Sequence, residues 1–190
     1  MYIFFDTETS GLPRRWDAPV TAVDNWPRIV QIAWICSDAE GNASEPQVRL
    51  VKPEGFTISA GAAKVHGIST EYATKHGLPL MPVLEEFAEA VKASDVMVAH
   101  NIDFDRSIVG AEFIRTSMPN VFLGKRQCCT MTESTNYCKL PGRYGYKWPT
   151  LDELHRKLFN KSFSGAHDAG ADCAACMRSF FKLKELGYVS

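Results

Sequence analysis

No strong charge of either sign marks this chain. Twenty-one lysines and arginines nearly balance twenty-two acids, leaving a net charge of −1. A strongly basic domain is the electrostatic footprint of a protein that grips nucleic acid through its phosphates. Its absence counts against a tight, non-specific duplex binder, but not against an enzyme that must release substrate at every turnover. Any nucleic-acid contact has to rest on local positive charge or on bound metal. Long apolar runs are missing too. The first residues, Met1-Tyr-Ile-Phe-Phe5, have no basic flank and meet an acid at once. That run is too short for a signal-peptide core or a bilayer span, so no membrane association is expected. The expectation is a cytoplasmic protein with reduced thiols. Repeats and low-complexity tracts are absent as well. With 190 residues, 45% hydrophobic and 23% charged, the chain reads as one domain, 1–190, able to bury a core without disulfides.

Six cysteines are present, and Cys173-Ala-Ala-Cys176 has redox or zinc-ligand spacing that Cys128, Cys129 and Cys138 could complete. Cys173, Cys176, Met177 and Phe180 also fall on one helical face. Core packing, where free cysteine behaves as a small hydrophobe, is the preferred reading.

Residues 2–5, 28–36 and 47–52 read as strands joined by short links, an antiparallel meander. After Pro53 the pattern turns helical, with an amphipathic helix over 82–93. A short strand at 95–99 leads into a helix over 105–116. Thr150-Leu-Asp-Glu153 is a capping box before another helix, and 170–186 forms the last one. A meander followed by alternating elements indicates an α/β protein with a mixed sheet flanked by helices. Two stretches resist reading. Residues 13–27 form a proline-rich loop with Arg14, Arg15, Trp16 and Trp26. Residues 117–149 are broken by proline and glycine, with a short strand near 126–131.

Three acidic clusters carry the chemistry. Asp6 and Glu8 sit at positions i and i+2 at the end of the first strand, so their carboxylates share one face. Like charges placed together near a buried strand call for a cation, and hard oxygen ligands favour Mg2+ or Mn2+. The second cluster, His100-Asn-Ile-Asp-Phe-Asp105, opens a helix, and its spacing leaves Asp103 and Asp105 as equal candidates. In the third, His167-Asp-Ala-Gly-Ala-Asp172, the two ends would face apart on one helix. They converge only if His167 lies on an approach loop and Asp172 in the helix. Several carboxylates and one histidine at strand ends and helix starts suit a two-metal phosphodiester site. The histidine is placed to take a proton from water.

Phe5-Asp-Thr-Glu-Thr-Ser-Gly-Leu12, His100-Asn-x-x-Phe-Asp105 and His167-x-x-x-x-Asp172 together resemble the three motifs of the DEDDh group of 3′→5′ exonucleases. That group includes the epsilon proofreading subunit of the bacterial replicative polymerase, ribonuclease T and oligoribonuclease. Arg28–Trp34, Ala62–Ile68 and Leu151–Leu154 resemble its auxiliary segments. The resemblance implies a ribonuclease H-like fold with a mixed sheet of about five strands. It implies two divalent cations, Mg2+ or Mn2+, on Asp6, Glu8, Asp105 and Asp172, with His167 as general base, and it selects Asp105 over Asp103. It further implies that Thr7, Thr9, Ser10, Gly11 and Leu12 hold the 3′-terminal nucleotide. Leu12 would lie against its base, with Val65, His66, Asn101 and Phe104 completing the pocket.

The expected substrate is nucleic acid with a free 3′ end, single-stranded DNA first and RNA as the alternative, with a DNA polymerase as a possible partner. No residue can be singled out as reading a 2′-hydroxyl. A non-catalytic nucleic-acid or polymerase-binding module is the reading from another class, and its mark would be a decayed site. All five catalytic positions are intact. The basic and aromatic loop 13–27 either contacts single strand or folds on its own tryptophans. The basic-aromatic stretch 139–161 is either a strand-binding surface or a solvated face.

Overall fold

Side chains of the first strand, β1 (Tyr2–Thr9), alternate between two cores, Ile3 and Phe5 on one side and Tyr2 and Phe4 on the other. A strand apolar on both faces belongs in the middle of a sheet. The computed structural model, which describes residues 1–189, places it third of five strands. β2 (Ile29–Ser37) runs antiparallel beside it, with Tyr2 opposite Ser37 and Glu8 opposite Gln31. β3 (Gln47–Leu50) pairs antiparallel with β2 on the outer side. The expected meander is present, and β1 continues four residues past the apolar run that signalled it.

Two short helices follow, α1 (Ala60–His66) and α2 (Thr70–His76), each capped by a serine side chain, Ser59 and Ser69. α3 (Leu80–Lys92) buries Val83, Leu84, Phe87 and Val91 against the Ile3–Phe5 face. The chain then enters β4 (Val96–Ala99), parallel to β1, and after α4 (Ile102–Arg115) enters β5 (Arg126–Cys129), parallel to β4. Parallel neighbours need such helical crossovers. The result is the expected mixed sheet of five strands flanked by helices.

Some boundaries differ from expectation. α4 starts at Ile102 rather than 105, because Asn101 adopts a left-handed conformation (φ 71°) that turns the chain straight out of β4. Asn tolerates that region better than most residues. β5 ends at Cys129, where Thr130 opens the one-turn helix α5 (Thr130–Glu133), followed by α6 (Thr135–Cys138) and the hairpin strands β6 (Pro141–Gly142) and β7 (Gly145–Tyr146). These pieces are shorter than any periodicity can register.

α7 (Leu151–Phe159) begins with the reciprocal capping box of Thr150 and Glu153. α8 (Ala169–Glu185) lies across β1 and β2, where Phe180 packs on Tyr2 and Phe4 at ring distances of 5.1 and 5.3 Å. Cys173 and Cys176 are buried in this layer. The Cys173 thiol donates to Phe4 O at 3.2 Å, and burial pushes both thiols well up from their ordinary range.

A buried carboxylate fixes the 13–27 loop. Glu112 of α4 accepts from Arg28 Nε at 2.8 Å and from the Ile29 N–H at 3.1 Å. Arg115, one turn on, pairs with its other oxygen at 3.2 Å and donates to Val23 O and Trp26 O. Trp26 is buried and donates Nε1–H to Pro19 O, while Arg15 and Asn25 exchange hydrogen bonds. Replacing Glu112 by glutamine removes the charge between two arginines. The expected loss is about 3 kcal/mol, the low end for breaking a buried ion pair, since both arginines keep some access to water. Urea unfolding measures it, and an unchanged midpoint would mean that neutral hydrogen bonds alone hold the loop.

Candidate active site

β1 presents Asp6 and Glu8 on its α8 face, opposite Ala33 and Gln31. Thr7 points to the other face, and β1 pairs with β4 only through Phe4. Beyond that point no strand is left to accept from Thr7. Asp105 takes the place of the missing strand: one carboxylate oxygen accepts from the Thr7 N–H at 2.9 Å and the Thr7 hydroxyl at 2.7 Å. Asp105 is 3% exposed. Asp103, by contrast, has an 81% exposed side chain paired with Arg106 at 3.0 Å. The tertiary geometry thus separates two acids that spacing left equal.

The approach to α8 is the loop-then-helix arrangement that the spacing required. Gly165 (φ 81°) begins it, and a Cβ there would be strained and would lie 3.1 Å from the Ala171 Cβ. His167 is left-handed at φ 69°, and the Asp168 side chain caps the helix by accepting from the Ala171 N–H. The His167 N–H donates to Asp172 at 2.9 Å. Glu8, His167 and Asp172 offer ligand atoms within 4.8 Å of one another.

Two further residues shape this corner. Gln31, across the sheet from Glu8, accepts the Ala169 N–H at 2.9 Å and reaches Asp168 at 3.4 Å, docking the start of α8 on the sheet. Asp168 adds a nearby carboxylate. Both were overlooked in the sequence, although a glutamine inside a β-branched run and an acid just before a helix are visible signals. His100 is a third. Burial lowers its pKa to about 4, so the ring is neutral. Nε2 lies 3.0 Å from Pro149 O, which can only accept, so the hydrogen sits there and Nδ1 accepts from the Thr130 hydroxyl at 3.0 Å. This ties the end of β4 to the segment entering α7.

The electrostatics are dominated by burial and by like charges. Asp6 is held well above the usual carboxylate range by burial, then by Asp105, Asp172 and Glu8. Burial and then Asp172 and Asp105 raise Glu8 to about 8. Burial raises Asp105 to about 7 against the opposing Thr7 hydrogen bonds, and burial raises Asp172 to about 6. Such a group cannot ionise fully at neutral pH without a cation.

Next to the acids lies a cleft of about 560 Å³. Thr7, Thr9, Gly11, Leu12, Val65, His66 and Phe104 line it; Ser10 and Asn101 do not. Ser10 is engaged in the fold, its hydroxyl accepting from the Arg28 N–H and its carbonyl from the Ser59 N–H. Leu12 is 74% exposed at the rim. His66 accepts the Ile68 N–H at Nδ1, which leaves its own hydrogen on Nε2, facing Thr9 O at 3.3 Å. Burial lowers its pKa.

A family model for exonucleases of the RNase T type matches residues 3–180. The chain belongs to the DEDDh-type 3′→5′ exonuclease family. Over 120 residues, 63% of its length, it is 35% identical to the DNA polymerase III PolC-type of Streptococcus thermophilus and 32% identical to that of Streptococcus pneumoniae. The matched segment is only 7% of each polymerase. Among solved structures, the zinc-bound complex of E. coli exonuclease I with single-stranded DNA superposes with a TM-score of 0.77 at 22% identity. Exonuclease I of Methylocaldum szegediense gives 0.77 at 21%. Each covers 97% of this chain, which spans 40% of theirs. This likeness establishes the fold as ribonuclease H-like. Membership of the family implies divalent metal ions, and a set of hard oxygen donors that burial keeps from ionising alone fits such ions. Among the described residues, no helix is long and apolar enough to cross a membrane.

The raised acids dictate a pH dependence for the metal-free protein. Their folded pKa values lie above those of the unfolded chain, so the folded state holds more protons between the two. The associated stability is fully present below pH 4 or so and is lost as pH rises through about 6 to 8. The melting temperature in EDTA should fall from pH 5.5 to pH 8, by roughly 2–4 °C per kcal/mol lost. Magnesium or manganese should restore it at pH 8 far more than at pH 5.5. Melting that stays flat across this range in EDTA would contradict the buried acidic cluster.

Proposed function

We propose that this chain hydrolyses the terminal phosphodiester bond at the 3′ end of single-stranded DNA and releases nucleoside 5′-monophosphates. The observation that supports the reading is the cluster of Glu8, His167 and Asp172, with Asp6 and Asp105 close enough that the carboxylates raise one another, beside a cleft walled by Leu12, Val65, His66 and Phe104. Asp6, Glu8, Asp105 and Asp172 would hold two divalent cations, Mg2+ or Mn2+. Such ions, when bound, lower the pKa of water and offset charge on the phosphate.

The protein residues do the rest. Leu12 and Phe104 give the terminal base an apolar seat, and Thr7, Thr9 and Gly11 form the floor beside it. Asn101 sets the start of the helix that carries Asp105. His167, exposed on its loop, accepts the proton of the attacking water. As the water oxygen bonds to phosphorus, the bond to the leaving 3′-oxygen breaks. The Thr7 hydrogen bonds keep Asp105 oriented throughout. The relatives favour DNA over RNA, since they include a DNA polymerase III and an exonuclease I in complex with single-stranded DNA. The PolC-type relatives also support a DNA polymerase as a partner.

His167→Ala should lower kcat by roughly 10²–10⁴-fold, the usual worth of a general base, without changing the fold. Asp105→Ala should abolish cleavage. A 5′-labelled single strand, incubated with magnesium or manganese, measures both as stepwise shortening from the 3′ end. Full activity in Asp105→Ala would sink the proposal, and a matched RNA strand cut faster than DNA would replace the substrate assignment.

A further inference from the structure

Trp16 stands on the 13–27 loop with 61% of its surface exposed. Its ring centroid lies 5.7 Å from that of Phe104, tilted by 40°, and Phe104 is a wall of the cleft. The loop is not loose. Trp26, on the same loop, is its buried anchor, and Arg115 and the Arg15–Asn25 exchange fix the remainder. An exposed indole on a fixed support loses little freedom when a flat partner lands on it. Arg15 is paired with Asp17 at 2.9 Å, whereas Arg14 is exposed and forms no ion pair among the described residues.

We propose that Trp16 is a base-stacking subsite for the nucleotide next to the 3′ end, with Arg14 beside it for the adjoining phosphate. This rests on the exonuclease reading of the cleft. Trp16 packs against Phe104 without itself lining the cleft, which puts it within reach of the neighbour of a base seated against Leu12 and Phe104. Stacking on an aromatic platform tolerates every base, because each has a π-face. The subsite therefore adds affinity for a strand over a lone nucleotide without adding sequence preference.

The test compares a short oligothymidylate with the same strand abasic at the penultimate residue, scoring the first cleavage. In the wild type, KM should be roughly tenfold lower for the intact strand, within the range for base–aromatic stacking, with kcat unchanged. Trp16→Ala should give one KM for both strands, equal to that of the wild type on the abasic one. Trp16→Phe should recover part of the preference. If Trp16→Ala keeps the full preference, or weakens both strands by the same factor, the subsite is overturned and Trp16 merely props Phe104. Equal KM values in the wild type also overturn it while leaving the exonuclease reading intact. A wild type that cuts neither strand removes both.

Discussion

Bringing Asp6, Glu8, Asp105 and Asp172 together at one end of β1 is unfavourable for the bare polypeptide. Burial raises the cost of each charge, and each carboxylate raises the cost of the others. The fold tolerates the cluster because ordinary packing around it is strong. Phe4, Phe5, Phe87 and Phe180 are fully buried on the two sides of β1, and each such side chain stabilises the fold by about 1.5–3 kcal/mol. The site is a local cluster of mutually repelling carboxylates set in a well-packed scaffold.

That scaffold has to be two-sided. Asp6 and Glu8 are on the α8 face of β1, whereas Asp105 arrives with α4, which packs on the other face. Thr7, pointing to the α4 side, is the connection: its N–H and hydroxyl hold Asp105 at the point where β4 has run out. Gln31 serves the opposite side by docking the start of α8, and with it Asp168, onto β2. A change in either layer would move one acid relative to the others, so the length of β4 and the position of α8 are as much a part of the site as the acids are.

How much of this was legible depended on whether the signal was local. Asp6 and Glu8 could be read because a period of two needs only the strand itself, and His167 with Asp172 because helical geometry forbids their meeting inside one helix. The mixed sheet followed from the order of elements, and the packing of Cys173 and Cys176 followed from their helical face. Asp103 and Asp105 could not be told apart without a resemblance, because the difference lies in where β4 stops and in an Asn101 turn that has no side-chain cap. The 13–27 loop was ambiguous for the same kind of reason. Trp16 and Trp26 are alike in sequence, and what buries one and exposes the other is a salt-bridge cluster on α4, far along the chain.

The near-zero net charge noted at the outset takes on a physical sense in this site. A strongly basic surface holds a strand by releasing counterions and holds it anywhere along its length. Here the four acids, once ionised, repel phosphate, and only cations bound among them reverse that repulsion. On the proposed reading, attraction for the phosphate at the 3′ end would then be strongest where the cations sit. Protons compete for the same oxygens, since the buried acids take up protons near neutrality when no metal is present. On that reading, metal occupancy, ionisation of the acids and affinity for the 3′ end would form one linked equilibrium.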